Sequence, residues 1–294
     1  MRTTFKYLRA DSVAAAVELA AEHGTDGHYL AGGTDLYLDW KNGRRLDVAI
    51  DISHLKDLDY LATNDGLLRI GTLTSLRTLE QLPPKDHAQR ALAALARVMC
   101  TPQTRTLATV GGNLCNASAA ADLPPLLAVL DGTATLTGPA GTRTLAIEDI
   151  PTGPKRNSLA AGELLTEVSV SVAPRTGTAV ERATRTALDI ALVIVAASVS
   201  TDSTGLISRA RICLGSVGPL LIRALEAEAL LVGIDAAAVD AEMLEHVGAL
   251  AADSSSPIDD VRTTAAYRRH STQVLTTRAI RSALAQLQQD GTAA

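Results

Sequence analysis

Residues 29–36 read YLAGGTDL, and a second glycine pair stands in the sequence TVGGN at residues 109–113. A glycine pair lets backbone N–H groups come close to a ligand, because no side chain stands in the way. Successive N–H groups in a tight turn form a concave surface that binds anions. The two turns together predict a cradle that holds the phosphates of one dinucleotide from opposite sides.

Short polar side chains flank both turns and strengthen this interpretation. They are Thr34, Asp35, Thr109, Asn113, Asn116, Ser118 and Asp122. Neither turn has the G-x-G-x-x-G spacing of a Rossmann dinucleotide site. The chain also lacks the G-x-x-x-x-G-K-[ST] loop, which argues against a nucleoside triphosphatase of the P-loop class.

The composition restricts the class of partner. The chain has 294 residues and a net charge of −5 at pH 7, and phosphate contacts to nucleic acid need a basic surface. We therefore expect no nucleic-acid partner. No segment reaches the roughly 18–20 apolar residues that cross a bilayer, and residues 1–6 lack the apolar core of a signal peptide. These features predict no membrane span and a cytoplasmic location.

Cysteine and histidine spacing gives no sign of a metal site. Cys100, Cys115 and Cys213 are far apart, a pattern that fits neither a disulfide framework nor an iron–sulfur cluster. The six histidines show no H-x-H or H-E-x-x-H spacing. We expect no metal bound by this chain.

Apolar periodicity and turn residues predict three units, at residues 1–57, 58–174 and 178–288. In the first unit, a helix is predicted over residues 11–23, capped by Asp11 or Ser12 and stopped by Gly24. A strand leads into the first glycine turn, and another is predicted over residues 48–52. The second unit is predicted to combine short strands, such as residues 67–70 and 168–172, with a helix over residues 87–99.

The third unit is predicted to be a sheet backed by helices. Two apolar runs, at residues 190–199 and 206–214, are joined by a turn over residues 202–205 and predict a hairpin. Helical patterns follow at residues 219–231, 237–251 and 260–288. The second glycine turn is expected to face the first unit, so that a ligand would lie in the crevice between the two units.

The two glycine segments, YLAGGTDL at 29–36 and TVGGNLCNASAAADLPP at 109–125, resemble the flavin-binding segments of the medium subunit of molybdenum hydroxylases. This family includes the xanthine dehydrogenases and carbon monoxide dehydrogenases. Further matches are DISHL at 51–55, LRIG at 68–71, ALDIA at 187–191, RALE at 223–226 and YRR at 267–269. The resemblance therefore extends from about residue 4 to residue 285.

The resemblance implies an α+β fold: a two-subdomain FAD-binding domain of the PCMH/vanillyl-alcohol-oxidase type, followed by a C-terminal sheet-and-helix domain of the CO dehydrogenase flavoprotein type. It also implies FAD as the cofactor, with no catalytic side chain on this chain because the flavin carries the redox chemistry. The FAD contacts that it implies are Tyr29, Leu30, Ala31, Gly32, Gly33, Thr34, Asp35, Leu36, Met99, Thr109, Val110, Gly111, Gly112, Asn113, Ser118, Asp122 and Leu165. For Met99 and Leu165, a core role is an equal alternative.

The implied partners are a large subunit with a molybdenum cofactor and a small subunit with iron–sulfur clusters. Electrons would pass from the clusters through FAD to an acceptor, NAD or a quinone. Two alternatives stay open. The chain could be a self-sufficient FAD-dependent oxidoreductase with its own small organic substrate, or an assembly subunit without FAD, against which the intact glycine pairs argue.

One departure from the family pattern concerns a cation. Where the family often has a lysine near the flavin, Glu181 stands in this sequence, with Arg182 beside it. A carboxylate near the ring would repel the negative charge of the reduced flavin and destabilise that form, which lowers the reduction potential. The sequence leaves open which of the two residues takes the position of the lysine.

Overall fold

The computed structural model describes residues 4–292 of the chain. The first three residues of the predicted N-terminal unit therefore lie outside the described residues. Over residues 4–292, strands form three sheets of three, five and four strands and one two-stranded ribbon. Within the same range, the structure contains no helix with both the length and the apolar character that a membrane span requires.

The first sheet is parallel and carries the first glycine turn. Its elements are β1 (Lys6–Arg9), α1 (Val13–His23), β2 (Gly27–Leu30), α2 (Leu36–Lys41) and β3 (Val48–Asp51), with strand order β1-β3-β2. The predicted helix is confirmed: the Ser12 hydroxyl accepts a hydrogen bond from the Ala15 N–H at 3.1 Å, and Gly24 ends the helix at φ +54°. Because β2 ends at Leu30, the glycine turn lies at the carboxyl edge of this sheet.

The second unit is a five-stranded antiparallel sheet covered by short helices. Its helices are α3 (Leu76–Glu80), α4 (His87–Val98), α5 (Pro102–Arg105), α6 (Val110–Cys115) and α7 (Leu123–Val129). Its strands are β4 (Leu61–Asn64), β5 (Leu67–Gly71), β6 (Thr133–Gly138), β7 (Gly141–Ala146) and β10 (Leu164–Ser171), with the ribbon strands β8 (Pro151–Gly153) and β9 (Arg156–Asn157). The sheet order is β4-β5-β10-β6-β7.

The third unit is a four-stranded antiparallel sheet in the order β11-β12-β13-β14. Its elements are β11 (Thr176–Ala183), β12 (Val193–Thr201), β13 (Ile207–Gly215), β14 (Ile222–Arg223), α8 (Leu225–Leu231), α9 (Ala241–Asp253) and α10 (Ala265–Thr292). The predicted hairpin is confirmed, because Asp202 Oδ1 accepts hydrogen bonds from the N–H groups of Thr204 and Leu206 across the turn.

The helix predicted over residues 219–231 is wrong in its first half. Only Leu225–Leu231 is helical, while Ile222 and Arg223 pair with β13 as a short strand. The physical reason is the Arg223 side chain, which forms two hydrogen bonds with Glu228 and one with Glu148 of the second unit. These contacts hold the segment extended despite its apolar helical spacing.

The second and third units share one hydrophobic core. Leu123 and Leu126 of α7 pack in the same buried cluster as Ile194 of β12 and Cys213 of β13. Asp131 adds ion pairs to Arg209 and Arg211 of β13. The mixed helix and sheet content confirms the predicted α+β class, whereas the unit boundaries stay a prediction.

One glycine allows β11 to pack directly against α10. A Cβ at Gly177 would stand 1.9 Å from the carbonyl oxygen of Ala283. We expect Gly177→Ala to lower the free energy of unfolding by roughly 1–3 kcal/mol, because helix and strand must separate to relieve the overlap. Urea denaturation followed by circular dichroism measures the change.

Gly153→Ala is the matched control for this substitution. A Cβ at Gly153 would meet no atom closer than 3.8 Å, so its unfolding midpoint should stay within experimental error of the unchanged protein. Equal midpoints for both variants would contradict the packing argument.

Candidate functional site

The backbone N–H groups of the first glycine turn have no hydrogen-bond partner within residues 4–292. Among the described residues, the N–H groups of residues 31–35 donate no hydrogen bond, whereas the carbonyls of Gly33 and Asp35 accept bonds from Tyr37 and Asp39 of α2. Gly33 has φ +68°, a conformation that glycine adopts without a steric penalty. A row of unpaired backbone donors is what a polyanionic ligand requires.

The first glycine turn contacts the backbone directly before the second glycine segment. A Cβ at Gly32 would stand 1.6 Å from the carbonyl oxygen of Leu107 and 3.2 Å from the nitrogen of Ala108. Only glycine therefore fits at residue 32. The chain that leads into the second segment therefore lies against the first unit, whereas the orientation of residues 109–113 stays a prediction.

The second glycine segment is helical, and whether its N–H groups also hold a phosphate stays a prediction. Thr109 caps α6, and its hydroxyl accepts a hydrogen bond from the Gly112 N–H at 3.0 Å. The N–H groups of Val110 and Gly111 donate to the carbonyls of Thr74 and Thr72. The N–H groups of Val110 and Gly111 are thus used in hydrogen bonds to residues 72–74, which directly follow β5.

Asn113 provides a second open contact. Its Oδ1 atom is buried and has no hydrogen-bond partner among the described residues. A buried acceptor without a partner costs about 1–3 kcal/mol, so a ligand that donates a hydrogen bond there would stabilise the segment. This acceptor and the unpaired donors of residues 31–35 fit a flavin dinucleotide, which carries both phosphates and N–H or O–H donors.

Asp122 follows the second segment and is bound by an arginine from the third unit. Arg182 Nε lies 2.8 Å from Asp122 Oδ1, and Arg182 Nη2 lies 3.2 Å from Oδ2. The side chains are 9% and 12% exposed. Burial raises the pKa of the Asp122 carboxyl, and the charge and hydrogen bonds of Arg182 oppose that effect. Sequence spacing gave no sign of this pair.

Cys100 lies close to acidic residues of both parts of the candidate site, Asp35 and Asp122. It adopts φ +50° just after α4, and burial raises the pKa of its thiol, with further contributions from the charges of Asp122 and Asp35. Asp35 of the first segment and Asp122 of the second therefore face the same region.

Four predicted contacts have other roles in the protein. Met99 and Leu165 are each 1% exposed and lie in the same hydrophobic core. The Tyr29 hydroxyl donates to the Gly162 carbonyl at 3.1 Å, and the hydroxyl of Ser118 accepts from the Ala120 N–H at 3.3 Å. Whether any of the predicted residues contacts FAD stays a prediction.

Lys155 is a further residue that the sequence did not point to. It lies in the turn between β8 and β9, and its Nζ donates to Asn116 Oδ1 at 2.8 Å. The same atom lies 3.7 Å from Asp39 of α2. The lysine thus connects the end of the second segment to the helix that follows the first.

Successive side chains of β11 point to opposite faces of the sheet, so Arg182 and Glu181 lie on different sides. Ala179 and Ala183 pack in the cluster that contains α10, whereas Val180 packs in the cluster of α4 and α7. Arg182 lies on the side of Val180, and Glu181 faces Arg278 of α10. Burial raises the pKa of Glu181. The structure therefore places Arg182, and not Glu181, on the side of Asp122.

The chain matches two family models over almost its whole length. Residues 3–172 match the FAD binding domain in molybdopterin dehydrogenase, and residues 178–283 match the CO dehydrogenase flavoprotein C-terminal domain. The chain belongs to the family of FAD-binding medium subunits of molybdopterin dehydrogenases. It is an FAD-binding flavoprotein of the xanthine and CO dehydrogenase type, as the sequence predicted.

Individual relatives agree with this assignment. The carbon monoxide dehydrogenase medium chain of Afipia carboxidovorans is 33% identical, with 96% of this chain and 97% of the relative covered. The 6-hydroxypseudooxynicotine dehydrogenase complex subunit alpha of Paenarthrobacter nicotinovorans is 31% identical, with 96% and 95% covered. The solved structure of a reconstituted CO dehydrogenase from Oligotropha carboxidovorans contains a chain that is 30% identical and superposes with a TM-score of 0.91. The match covers 97% of this chain and 99% of that chain.

The two glycines of the second segment should respond differently to substitution. A Cβ at Gly111 would stand 1.7 Å from the Thr72 hydroxyl oxygen, whereas a Cβ at the exposed Gly112 would meet only the Thr109 hydroxyl, at 3.0 Å. We expect Gly111→Ala to lower the free energy of unfolding by roughly 1–3 kcal/mol, and Gly112→Ala to change it by less. Thermal denaturation of the chain without FAD measures both, and equal losses would contradict the geometry.

Glu181 should have no influence on the flavin. Because its side chain faces α10, Glu181→Lys is expected to leave the flavin midpoint potential unchanged, as determined by redox titration against reference dyes. A raised potential would show that this position lies near the ring after all.

Proposed function

We propose that this chain is the electron-transfer subunit of a multi-subunit molybdenum hydroxylase. In this proposal, a large subunit with a molybdenum cofactor oxidises the substrate, and a small subunit with iron–sulfur clusters supplies the electrons. This chain then passes them through FAD to NAD or a quinone. The names of the relatives support it, since they describe a medium chain and a complex subunit of dehydrogenases. The cytoplasmic location stays a prediction.

The observation that carries the proposal is the row of unpaired N–H groups at residues 31–35, together with the unpaired Asn113 Oδ1. The first turn would hold the FAD diphosphate, and Asn113 would accept a hydrogen bond from the cofactor. When bound, FAD supplies the electron chemistry itself. The side chains of this chain then need only to bind and orient it.

A self-sufficient oxidoreductase is the second candidate, and one cavity favours it. A cavity of about 390 Å³ lies between α4 and β11, beside Arg182. Ligand pockets span roughly 300–1,000 Å³, so a small organic substrate would fit. Its walls include Leu95, Val98 and Val180, with Arg90 and Arg182 as cations.

Reduction of the bound flavin separates the two candidates. The purified chain is loaded with FAD and mixed with candidate substrates, first alone and then with the large and small subunits, while the absorption near 450 nm is followed. We expect the flavin to bleach only when both partners are present, because the substrate is oxidised on another subunit. Bleaching of this chain alone by an organic substrate would support the second candidate. A chain that binds no FAD would overturn both.

A further inference from the structure

Arg182 joins three segments that meet beside the flavin crevice. Its guanidinium binds both carboxylate oxygens of Asp122, donates to the Val98 carbonyl at 2.9 Å, and donates to the Asp189 carbonyl at 3.0 Å. These groups belong to the start of α7, the end of α4 and the loop before β12. The rigid planar fork of an arginine can satisfy such a set, whereas the point charge of a lysine cannot.

A single arginine thus keeps a buried carboxylate paired. Asp122 is 12% exposed, and a buried charge without a partner is strongly destabilising. Arg182 occupies one lone pair on each carboxylate oxygen, and an ionised carboxylate offers about four such sites. Asp122 therefore keeps acceptor capacity for a ligand while its orientation is fixed.

We propose that Arg182 is a positioning residue of the flavin site, which fixes the Asp122 carboxylate for a hydrogen bond from FAD and neutralises its charge next to the negatively charged cofactor. The proposal rests on the proposed function, in which Asp122 contacts FAD. Arg182 itself need not touch the flavin.

The charges around Asp122 determine how the site responds to pH. Arg182 is the charged group that acts on Asp122, and the neighbouring Cys100 thiol is influenced by the charges of Asp122, Asp35 of the first segment and Arg105 of α5. In the unchanged chain, the charge and hydrogen bonds of Arg182 favour the ionised form of Asp122 against burial. Without Arg182, burial acts unopposed on the carboxyl, and its pKa rises further. Lower pH then favours the neutral carboxyl, which does not repel FAD, so FAD affinity should depend more on pH in Arg182→Gln than in the unchanged chain.

The test measures FAD binding to the full-length chain, stripped of FAD, by quenching of flavin fluorescence at pH 6 and pH 8. We expect Arg182→Gln to weaken binding by at least about tenfold at pH 8, with part of the affinity regained at pH 6. The double variant Arg182→Gln/Asp122→Asn should bind FAD more tightly than Arg182→Gln at pH 8 and show no pH dependence, because it buries no unpaired charge.

Arg185→Gln is the matched control. Arg185 lies three residues further on, pairs with Asp189, and has a side chain that is 52% exposed, so its loss should leave FAD affinity unchanged at both pH values. Unchanged affinity in Arg182→Gln would overturn the proposal. An equal loss at both pH values without rescue by Asp122→Asn would also overturn it, since Arg182 would then only tie the segments together.

If Arg182→Gln does not fold, a variant that keeps the positive charge at this position tests the proposal instead. Arg182→Lys should bind FAD a few-fold more weakly than the unchanged chain at both pH values, because one ammonium cannot hold both carboxylate oxygens. If Arg182→Lys bound FAD as tightly as the unchanged chain, the contact of the guanidinium with both oxygens of Asp122 would not be required, and the proposal would be overturned. If the unchanged chain bound no FAD, the proposed function itself would fail, which is a separate result.

Discussion

Direct backbone contact around residues 107–111 is the constraint on which the site depends. The Leu107 carbonyl occupies the space that a side chain at Gly32 would need, and Thr72 occupies the space beside Gly111. The N–H groups of Val110 and Gly111 complete the contact through hydrogen bonds to the strand end at residues 72–74. Because the glycines leave room for the Leu107 carbonyl and the Thr72 hydroxyl, the first turn, residues 107–111 and residues 72–74 pack closely, and the first sheet is fixed against the second unit.

The two glycine segments contribute to the site in opposite ways. In the first segment the carbonyls are used by α2 and the N–H groups are left free, so the turn presents donors to a ligand. In the second segment the N–H groups are consumed by packing, and a buried side-chain acceptor, Asn113 Oδ1, is left without a partner. A cofactor with a diphosphate and hydrogen-bond donors matches both. An unpaired buried acceptor is costly, so a ligand that donates a hydrogen bond to Asn113 Oδ1 would stabilise the second segment.

Ion pairs connect the third unit to the second. Arg182 reaches Asp122 in a largely buried pair, whereas the pair of Arg223 with Glu148 and the pairs of Asp131 with two arginines of β13 are partly exposed. Each pair helps to fix the relative orientation of the two units, which the shared apolar core alone does not, because charged hydrogen bonds need a particular geometry. The helix predicted over residues 219–231 failed for this reason: Arg223 is held by Glu228, five residues away, and by Glu148, 75 residues away in sequence. The strands, by contrast, were predictable, since apolar runs and turn residues act locally.

The sequence by itself determined the family, and through this resemblance the α+β class and the cofactor. It also determined most helices and strands, because caps, turn residues and strand patterns are local signals. Only the tertiary structure decided which N–H groups are free, that Met99 and Leu165 lie in the core, and that Arg182 rather than Glu181 faces Asp122. These outcomes depend on which distant segments supply a hydrogen-bond partner and on which face of a strand is buried. Local spacing carries no information on either, because partners such as Asp122 and Arg182 meet only after the chain has folded.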